Sequence, residues 1–381
     1  MLYMDYAATT PASDHVRKAM DKALEDFPGN PNSLHTPGIE ARKRYNRAKK
    51  SIAKGFNTHW KNIIITGSGS EASNTAIKGY HSLHPEKAIV LSTIEHAATM
   101  NSAAHVEKTG GKVLRCPVDS KGFVRMDTLE DYLSQEDVGL VSIIHSNNEI
   151  GTVQDAEKLR ALTKKHGALL HLDMVQTAPH MPVDLDGLDV DMASFSAHKF
   201  FGPRGVGVLF KKASVEIEPL IHGGSQEFNL RAGTENVSGV VGFETALNAT
   251  LNDHQKRQNQ IRKNGEAFLN ALEREGIDFI LNGPEYHSSH RLHNVLNLGF
   301  ESQNAAALAF ELNQRGIYVS QGSACHENSV ELSHVLKGIR VGKSYIQGSL
   351  RFSISHRENE NDMKAAARTV AEIIKSGESE L

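Results

Sequence analysis

The chain has 381 residues, 39% hydrophobic and 23% charged, with a formal net charge of −3. That is an ordinary soluble composition, long enough for a large domain plus a smaller one. No long basic block is present, so neither nucleic acid nor an anionic membrane is an expected partner.

The N-terminus, Met1-Leu-Tyr-Met-Asp-Tyr6, lacks a basic start followed by an apolar stretch, so no signal peptide is expected. No run reaches membrane-spanning length; even Val138-Gly-Leu-Val-Ser-Ile-Ile144 is strand-sized. Residues 41–52 follow a helical pattern. Ala41, Tyr45, Ala48 and Ile52 lie on one face, and Arg42-Lys43-Arg44, Arg47 and Lys49-Lys50 read as a solvated side. From about residue 60, apolar runs alternate with amphipathic stretches. A strand at 63–66 leads through Gly67-Ser-Gly-Ser70 into a helix at 71–80. A strand at 88–92 leads into a segment at 97–108, ended by Gly110-Gly111. A strand at 138–145, a helix at 155–166 and a strand at 168–173 follow. Met192-Ala-Ser-Phe-Ser196 reads as a buried strand, and 206–210 as a strand returning after a glycine-rich turn. This alternation predicts a mainly parallel sheet covered on both faces, with ligands bound beyond the carboxyl ends of its strands. A polar helical stretch at 246–276 then leads to a small α/β part. It has strands at 294–298, 317–320 and 350–354 and helices at 304–315 and 361–375. The expected division is a large domain at 14–256 and a small one made of 1–13 and 257–381.

Two cysteines without paired spacing, Cys116 and Cys325, point to a reducing, cytoplasmic compartment and no disulfide framework. Twenty histidines show no HExxH or Cys/His spacing, so no metal is expected.

Ser196-Ala-His-Lys199-Phe-Phe-Gly202-Pro-Arg204-Gly205 places one lysine where a buried strand meets a glycine-rich turn. Burial disfavours an ammonium, and a partly neutral amine can form a Schiff base with an aldehyde. Most lysines are solvated surface residues, so the partners decide. Gly67-Ser-Gly69-Ser70-Glu-Ala72 fits G-x-G-x-x-A between strand and helix. Its N–H groups suit any phosphate, and alone it reads as a plain βα turn. Asp173 is a carboxylate at a strand end, suited to a protonated ring nitrogen or, more plainly, to capping a helix. Gln176 suits a phenolic oxygen or a polar turn. His96, after Glu95, could stack on an aromatic ring and move protons, or simply be a satisfied side chain. Asn148 could bond a cofactor ring or a substrate carboxylate. Cys325, in Gln321-Gly-Ser-Ala-Cys-His-Glu-Asn328, fits a buried hydrophobe poorly and could act as a nucleophile if positive charge nearby lowers its pKa, whereas Cys116 fits the hydrophobe. Arg351, in an apolar strand, needs either a substrate carboxylate or a structural acid.

Together these motifs resemble the cysteine desulfurases of the NifS/IscS type, which use pyridoxal 5′-phosphate (PLP). They belong to the class V aminotransferases, with the aspartate-aminotransferase-like α/β fold type I. The resemblance runs nearly end to end. It starts at Tyr3-Met-Asp-Tyr-Ala-Ala-Thr-Thr-Pro11 and Gly29-Asn-Pro-Asn-Ser-Leu-His35. It continues through Thr66–Glu71, Glu95-His96, Asn147-Asn148-Glu-Ile-Gly151, Asp173–Gln176 and Ser196–Lys199. His222-Gly-Gly224, Arg231-Ala-Gly-Thr234, Gly322-Ser-Ala-Cys325 and Leu350-Arg-Phe-Ser353 complete it. It implies a large domain with a mainly parallel seven-stranded sheet and a small α/β domain. It implies that Lys199 carries the PLP Schiff base, that Asp173 pairs with the pyridine nitrogen and that His96 stacks on the ring. Gln176 would bond the ring oxygen, and Gly69, Ser70, Ser196 and His198 would hold the phosphate. Thr234 would reach the phosphate of the other subunit of a homodimer. Arg351 would fix the substrate carboxylate, with Asn148 and Asn32. The implied reaction turns L-cysteine into L-alanine and leaves a persulfide on Cys325. An acceptor protein, an iron–sulfur scaffold or a thiolation enzyme, then takes the sulfur.

The sequence departs from the family pattern at Gly67–Glu71, where many relatives have Ser-Gly-Ala-Thr-Glu, and at His326-Glu327 after Cys325. Rival readings are a selenocysteine lyase or aminotransferase on the same fold, a nicotinamide oxidoreductase using the 67–72 turn, and a non-catalytic sulfur-relay scaffold.

Overall fold

The structure, a computed structural model, describes residues 1–321 and 332–377. The chain opens with β1 (Leu2–Tyr3), α1 (Asp14–Asp26) and α2 (Thr36–Gly55), followed by β2 (Ile63–Thr66), α3 (Gly69–Leu83), β3 (Ala88–Ser92) and α4 (Ala97–Lys108). Next come β4 (Val113–Cys116), α5 (Met126–Gln135), β5 (Val138–Ile144), α6 (Ala156–Lys165), β6 (Leu169–Asp173) and α7 (Leu185–Leu188). After β7 (Met192–Ser196) and β8 (Gly207–Lys211), two long helices follow, α8 (Val237–Asn252) and α9 (His254–Arg274). The rest is β9 (Ile280–Leu281), β10 (Val295–Gly299), α10 (Ala305–Gln314), β11 (Ile317–Tyr318), α11 (His334–Gly338), α12 (Lys343–Gln347), β12 (Ser349–Ser353) and α13 (Glu360–Ser376).

Seven strands form the main sheet, in the order β2-β8-β7-β6-β5-β3-β4. Pairs among β3 to β7 are parallel, and β8 is antiparallel to both β7 and β2. The exception follows from chain length: β8 returns from β7 through a short turn that leaves no room for a crossover helix. Strands β5 and β7 are buried throughout, as a sheet covered on both faces requires. Their side chains join Ile63, Val90, Leu172 and Phe210 in one core, to which Val335, Leu336, Ile339 and Ile346 also belong.

A second core gathers Met4, Phe268, Leu296, Leu298, Leu350, Phe352 and Val370. Around it lie a three-stranded sheet, β12-β10-β9, and the parallel pair β1-β11. The N-terminal segment links the two cores. Met4 is buried in the second, while the Thr10 amide donates to the His198 carbonyl and the Ser13 amide to that of Phe201.

Two features differ from the sequence reading. The polar stretch at 246–276 is not one helix: α8 ends at Asn252 and α9 begins at His254. The basic side of α2 is not wholly solvated. Lys49 is 2% exposed and pairs with Glu227 at 2.8 Å, and Arg44 reaches Glu244 at 2.7 Å. Lys49 lies one turn after Tyr45 at the edge of the apolar stripe, so the helix carries it inward. There Glu227 also accepts from Tyr45 and from the Ile65 amide, which satisfies the buried carboxylate.

Candidate active site

The site forms where β5, β6 and β7 end. Strand β7 runs out at Ser196, and a single 3-10 turn, Ala197–Lys199, follows. The chain then reverses: Phe201 adopts φ 64°, and the amides of Phe200 and Gly202 both donate to the Ala197 carbonyl. A Cβ at Gly202 would lie 2.7 Å from that carbonyl oxygen, so the turn requires glycine. The reversal delivers Lys199 into the pocket, where Nζ donates to the carbonyls of Ala7 (2.7 Å) and Ala8 (2.8 Å).

Asp173, the last residue of β6, lies in register with Ser194 of β7 and accepts from the Val175 amide at 3.0 Å. Burial raises its carboxyl above the ordinary value, while His96 and Lys199 oppose the shift. His96 caps α4, its Nδ1 accepting from the Ala98 amide at 3.1 Å. Burial lowers the imidazole's pKa, and Asp173 counteracts it. Each of these two groups, buried alone, resists its own charge; a cationic ring between them would relieve Asp173.

Helix α3 opens onto the same cavity. Its cap, Ser68, accepts from the Glu71 amide at 3.0 Å, and Glu71 in turn accepts from the Gly67 amide and from Arg231. A Cβ on Gly69 would meet Val175 Cγ2 at 2.7 Å, so glycine lets the helix start press against the strand ends. The N-terminus of this 15-residue helix presents the positive end of its dipole to an anion. His198 stands beside Thr9, Nδ1 to Oγ1 3.0 Å. Burial, with Lys199 and Arg204 near, lowers its pKa to about 4, so it acts as a neutral ring.

Arg351, on β12, is 1% exposed. Its Nη2 donates to Asp5 Oδ1 at 2.8 Å and its Nη1 to the Asn148 carbonyl at 3.1 Å. Its Nε is buried with no acceptor among the described residues. Asn148 sits in a turn held by Asn147, whose Oδ1 accepts from the amides of Glu149 and Ile150.

One cavity of about 270 Å³ joins these groups. Of the residues the sequence singles out, Gly69, Ser70, His96, Asn148, Asp173, Gln176, Ser196, His198, Lys199 and Arg351 line it. Asn32 and Thr234 do not line it. Asn32 is exposed and donates to Glu235, and Thr234 is exposed. Cys325 lies outside the described residues. The N-terminal segment also serves the site, a role that no local feature of its sequence signals. Besides holding Lys199, the Ala7 carbonyl accepts from Gln176 Nε2 at 2.8 Å, and Asp5 holds Arg351.

The model of the family described as aminotransferase class-V matches residues 2–365. The chain belongs to the class-V aminotransferase family. It is 39% identical over 375 residues to "Cysteine desulfurase IscS" of Dictyoglomus turgidum, covering 98% of this chain and 94% of that one. It is 36% identical to "Cysteine desulfurase IscS" of Methanosarcina thermophila, covering 98% and 92%. A solved structure described as "NIFS-LIKE PROTEIN" superposes with a TM-score of 0.91 at 34% identity, covering 98% of this chain and 99% of that one. "SspA in complex with cysteine" superposes with a TM-score of 0.80 at 28% identity, covering 93% and 99%.

The class-V aminotransferase cofactor is PLP, and the donor set fits it. The cofactor is an aldehyde with an anionic phosphate and a basic ring nitrogen. The cavity offers an amine at Lys199, the α3 N-terminus with its glycine-cleared approach, and a buried acid at Asp173.

Proposed function

We propose that this class-V aminotransferase is a PLP-dependent cysteine desulfurase that converts L-cysteine to L-alanine and leaves the sulfur on Cys325 as a persulfide. One observation carries the reading: a single cavity joins Lys199, Asp173 and the phosphate-ready start of α3 to Arg351, which suits an amino-acid carboxylate. Bound there, the cofactor supplies an aldehyde that condenses with amines and a cationic ring that stabilises the electron pair left when an α-proton departs.

The chain's own residues divide the remaining work. Asp173 would keep the ring nitrogen protonated, and His96 would lie against the ring and exchange protons. Gln176 would hold the ring oxygen. The start of α3 at Gly69 and Ser70, with Ser196 and His198, would hold the phosphate. Arg351 grips the substrate carboxylate, with Asn148 as a further partner; Asn32, outside the cavity and bonded to Glu235, does not share that role. Lys199 would carry the cofactor and, as a free amine, would take the α-proton; its Nζ lies within hydrogen-bond reach of the Ala7 and Ala8 carbonyls. The Cys325 thiolate attacks the substrate sulfur. The carbon–sulfur bond breaks, its pair stays with carbon and is protonated, and a sulfur–sulfur bond forms on Cys325. Alanine leaves.

The functional unit in this reading is a homodimer in which Thr234 serves the partner's phosphate. Thr234 is exposed, and Leu220, Ile221 and Phe228 on the same segment are exposed apolar side chains, which supports a face covered by a second copy. The second core, built from Met4 and residues 261–373, supports a small domain of 1–13 with 257–381 beside a large one of 14–256, with Val335, Leu336, Ile339 and Ile346 packing across into the first core. A reducing cytoplasm keeps the Cys325 thiol free, and an iron–sulfur scaffold or thiolation enzyme receives the persulfide sulfur. Among the described residues no helix is long and apolar enough to cross a membrane.

The test is the absorption spectrum of the purified protein, before and after L-cysteine is added. A band near ~400 nm that shifts with cysteine is expected; a colourless protein, or a band indifferent to cysteine, contradicts the reading.

A further inference from the structure

Arg351 is already engaged before any substrate arrives. Its side chain is 1% exposed, and Asp5, 20% exposed, faces it across 2.8 Å. An enclosed guanidinium needs a counter-charge, and the N-terminal segment supplies one. The placement of Asp5 is fixed from both sides. Asp5 forms a bridge with Ser353, two residues beyond Arg351 on the same chain direction as β12, and Met4 before it is buried in the second core. The next residues are tied down as well: the Ala7 amide donates to Ser353 Oγ at 2.9 Å. The carboxylate that meets Arg351 is therefore built into the fold and not a passing surface contact. Arg351 nevertheless keeps capacity for a second acid. A guanidinium carries five N–H donors; Asp5 and the Asn148 carbonyl are its acceptors here, and Nε is buried without one among the described residues.

We propose that Asp5 is a resident counter-carboxylate for Arg351, which an incoming α-carboxylate must share or displace, so that Asp5 weakens and thereby sets the site's hold on every amino-acid carboxylate. The inference rests on the reading of Arg351 as the carboxylate grip. Two carboxylates on one guanidinium repel each other, and displacement would forfeit the resident ion pair; both routes oppose binding. The consequence reaches the product as well as the substrate, because L-alanine keeps the same carboxylate. Asp5 is thus a positioning residue: it holds the Arg351 fork in place in the absence of ligand and favours release of the product afterwards.

The test replaces Asp5 by Asn, which keeps an acceptor for Nη2 but removes the charge. L-Alanine binding to the purified holoenzyme is followed by calorimetry and by the shift of the visible band, so no sulfur chemistry is needed. D5N is expected to bind L-alanine about tenfold more tightly and to lower KM for L-cysteine by a similar factor. The methyl ester of L-cysteine, which lacks the carboxylate charge, is expected to bind wild type and D5N equally. Equal L-alanine affinity in the two proteins, weaker binding by D5N, or a change of the same size for the ester would overturn the proposal. D5S repeats the charge removal with a smaller side chain should D5N fail to fold. If the wild type itself shows no visible band and no response to L-alanine, the desulfurase reading fails and not the role of Asp5 alone.

Discussion

Glu95 is fully buried beside His96, its carboxylate accepting from the Ser92 hydroxyl, and Asp173 adds negative charge nearby. Burial pushes its carboxyl up from 4.5 to about 8. A folded-state pKa above the unfolded one means that the native state holds more protons between those values. Stability is therefore full below the unfolded value and declines as pH rises through about 8. The melting temperature is expected to fall between about pH 5 and about pH 8 and to level off above that, and Glu95→Gln, which keeps an acceptor for Ser92 but cannot ionise, should flatten that fall. Equal slopes for the two proteins would remove Glu95 as the cause. The burial of Glu95 was not legible in the sequence, where only its neighbour His96 invited a role. Lys199, Asp173 and His96 were legible because each follows a strand-like run, and strand ends are where such sheets bind ligands. Asp5 escaped notice for a different reason: its partner Arg351 is 346 residues away, and nothing local in either stretch announces the pair.

Helix α2 shows how an element can hide its own burial. Residues 41, 45, 48 and 52 give the apolar stripe, but the stripe's edge carries Lys49 into the protein against Glu227. Removing one partner leaves an uncompensated buried charge. Lys49→Ala should therefore cost about 3–5 kcal/mol, read from denaturant midpoints, whereas Lys43→Ala on the exposed side should cost about 0–1 kcal/mol. Comparable losses for the two would show that the Glu227 pair is not an enclosed one. The strands and helices of the main sheet were legible because each has a clear period and a glycine, polar turn or cap at its ends. The break at Asp253 between α8 and α9 was not, since no glycine or proline marks it and the polar pattern runs on. The antiparallel return of β8 was visible in the short spacing after Lys199, which no crossover helix could fit.

At the scale of the whole molecule, the chain joins two cores through its first residues, and the cavity takes groups from both sides of that join: Arg351, held by Asp5, from one, Lys199 and Asp173 from the other. If Thr234 serves a neighbouring site, the protein works as a pair. Light scattering should then give twice the chain mass, and Phe228→Asp should shift the protein toward monomer and loosen the cofactor. A wild-type monomer that retains its cofactor would contradict the shared site. The proposed sulfur chemistry has its nucleophile at Cys325, outside the described residues, and following the sulfur itself decides it. Protein exposed to one equivalent of L-cysteine without reductant can be digested for mass analysis of the Cys325 peptide while free alanine is counted. The account predicts one alanine per sulfur atom gained, with that atom on Cys325. Alanine without sulfur on Cys325, or sulfur carried by Cys116 instead, would contradict it.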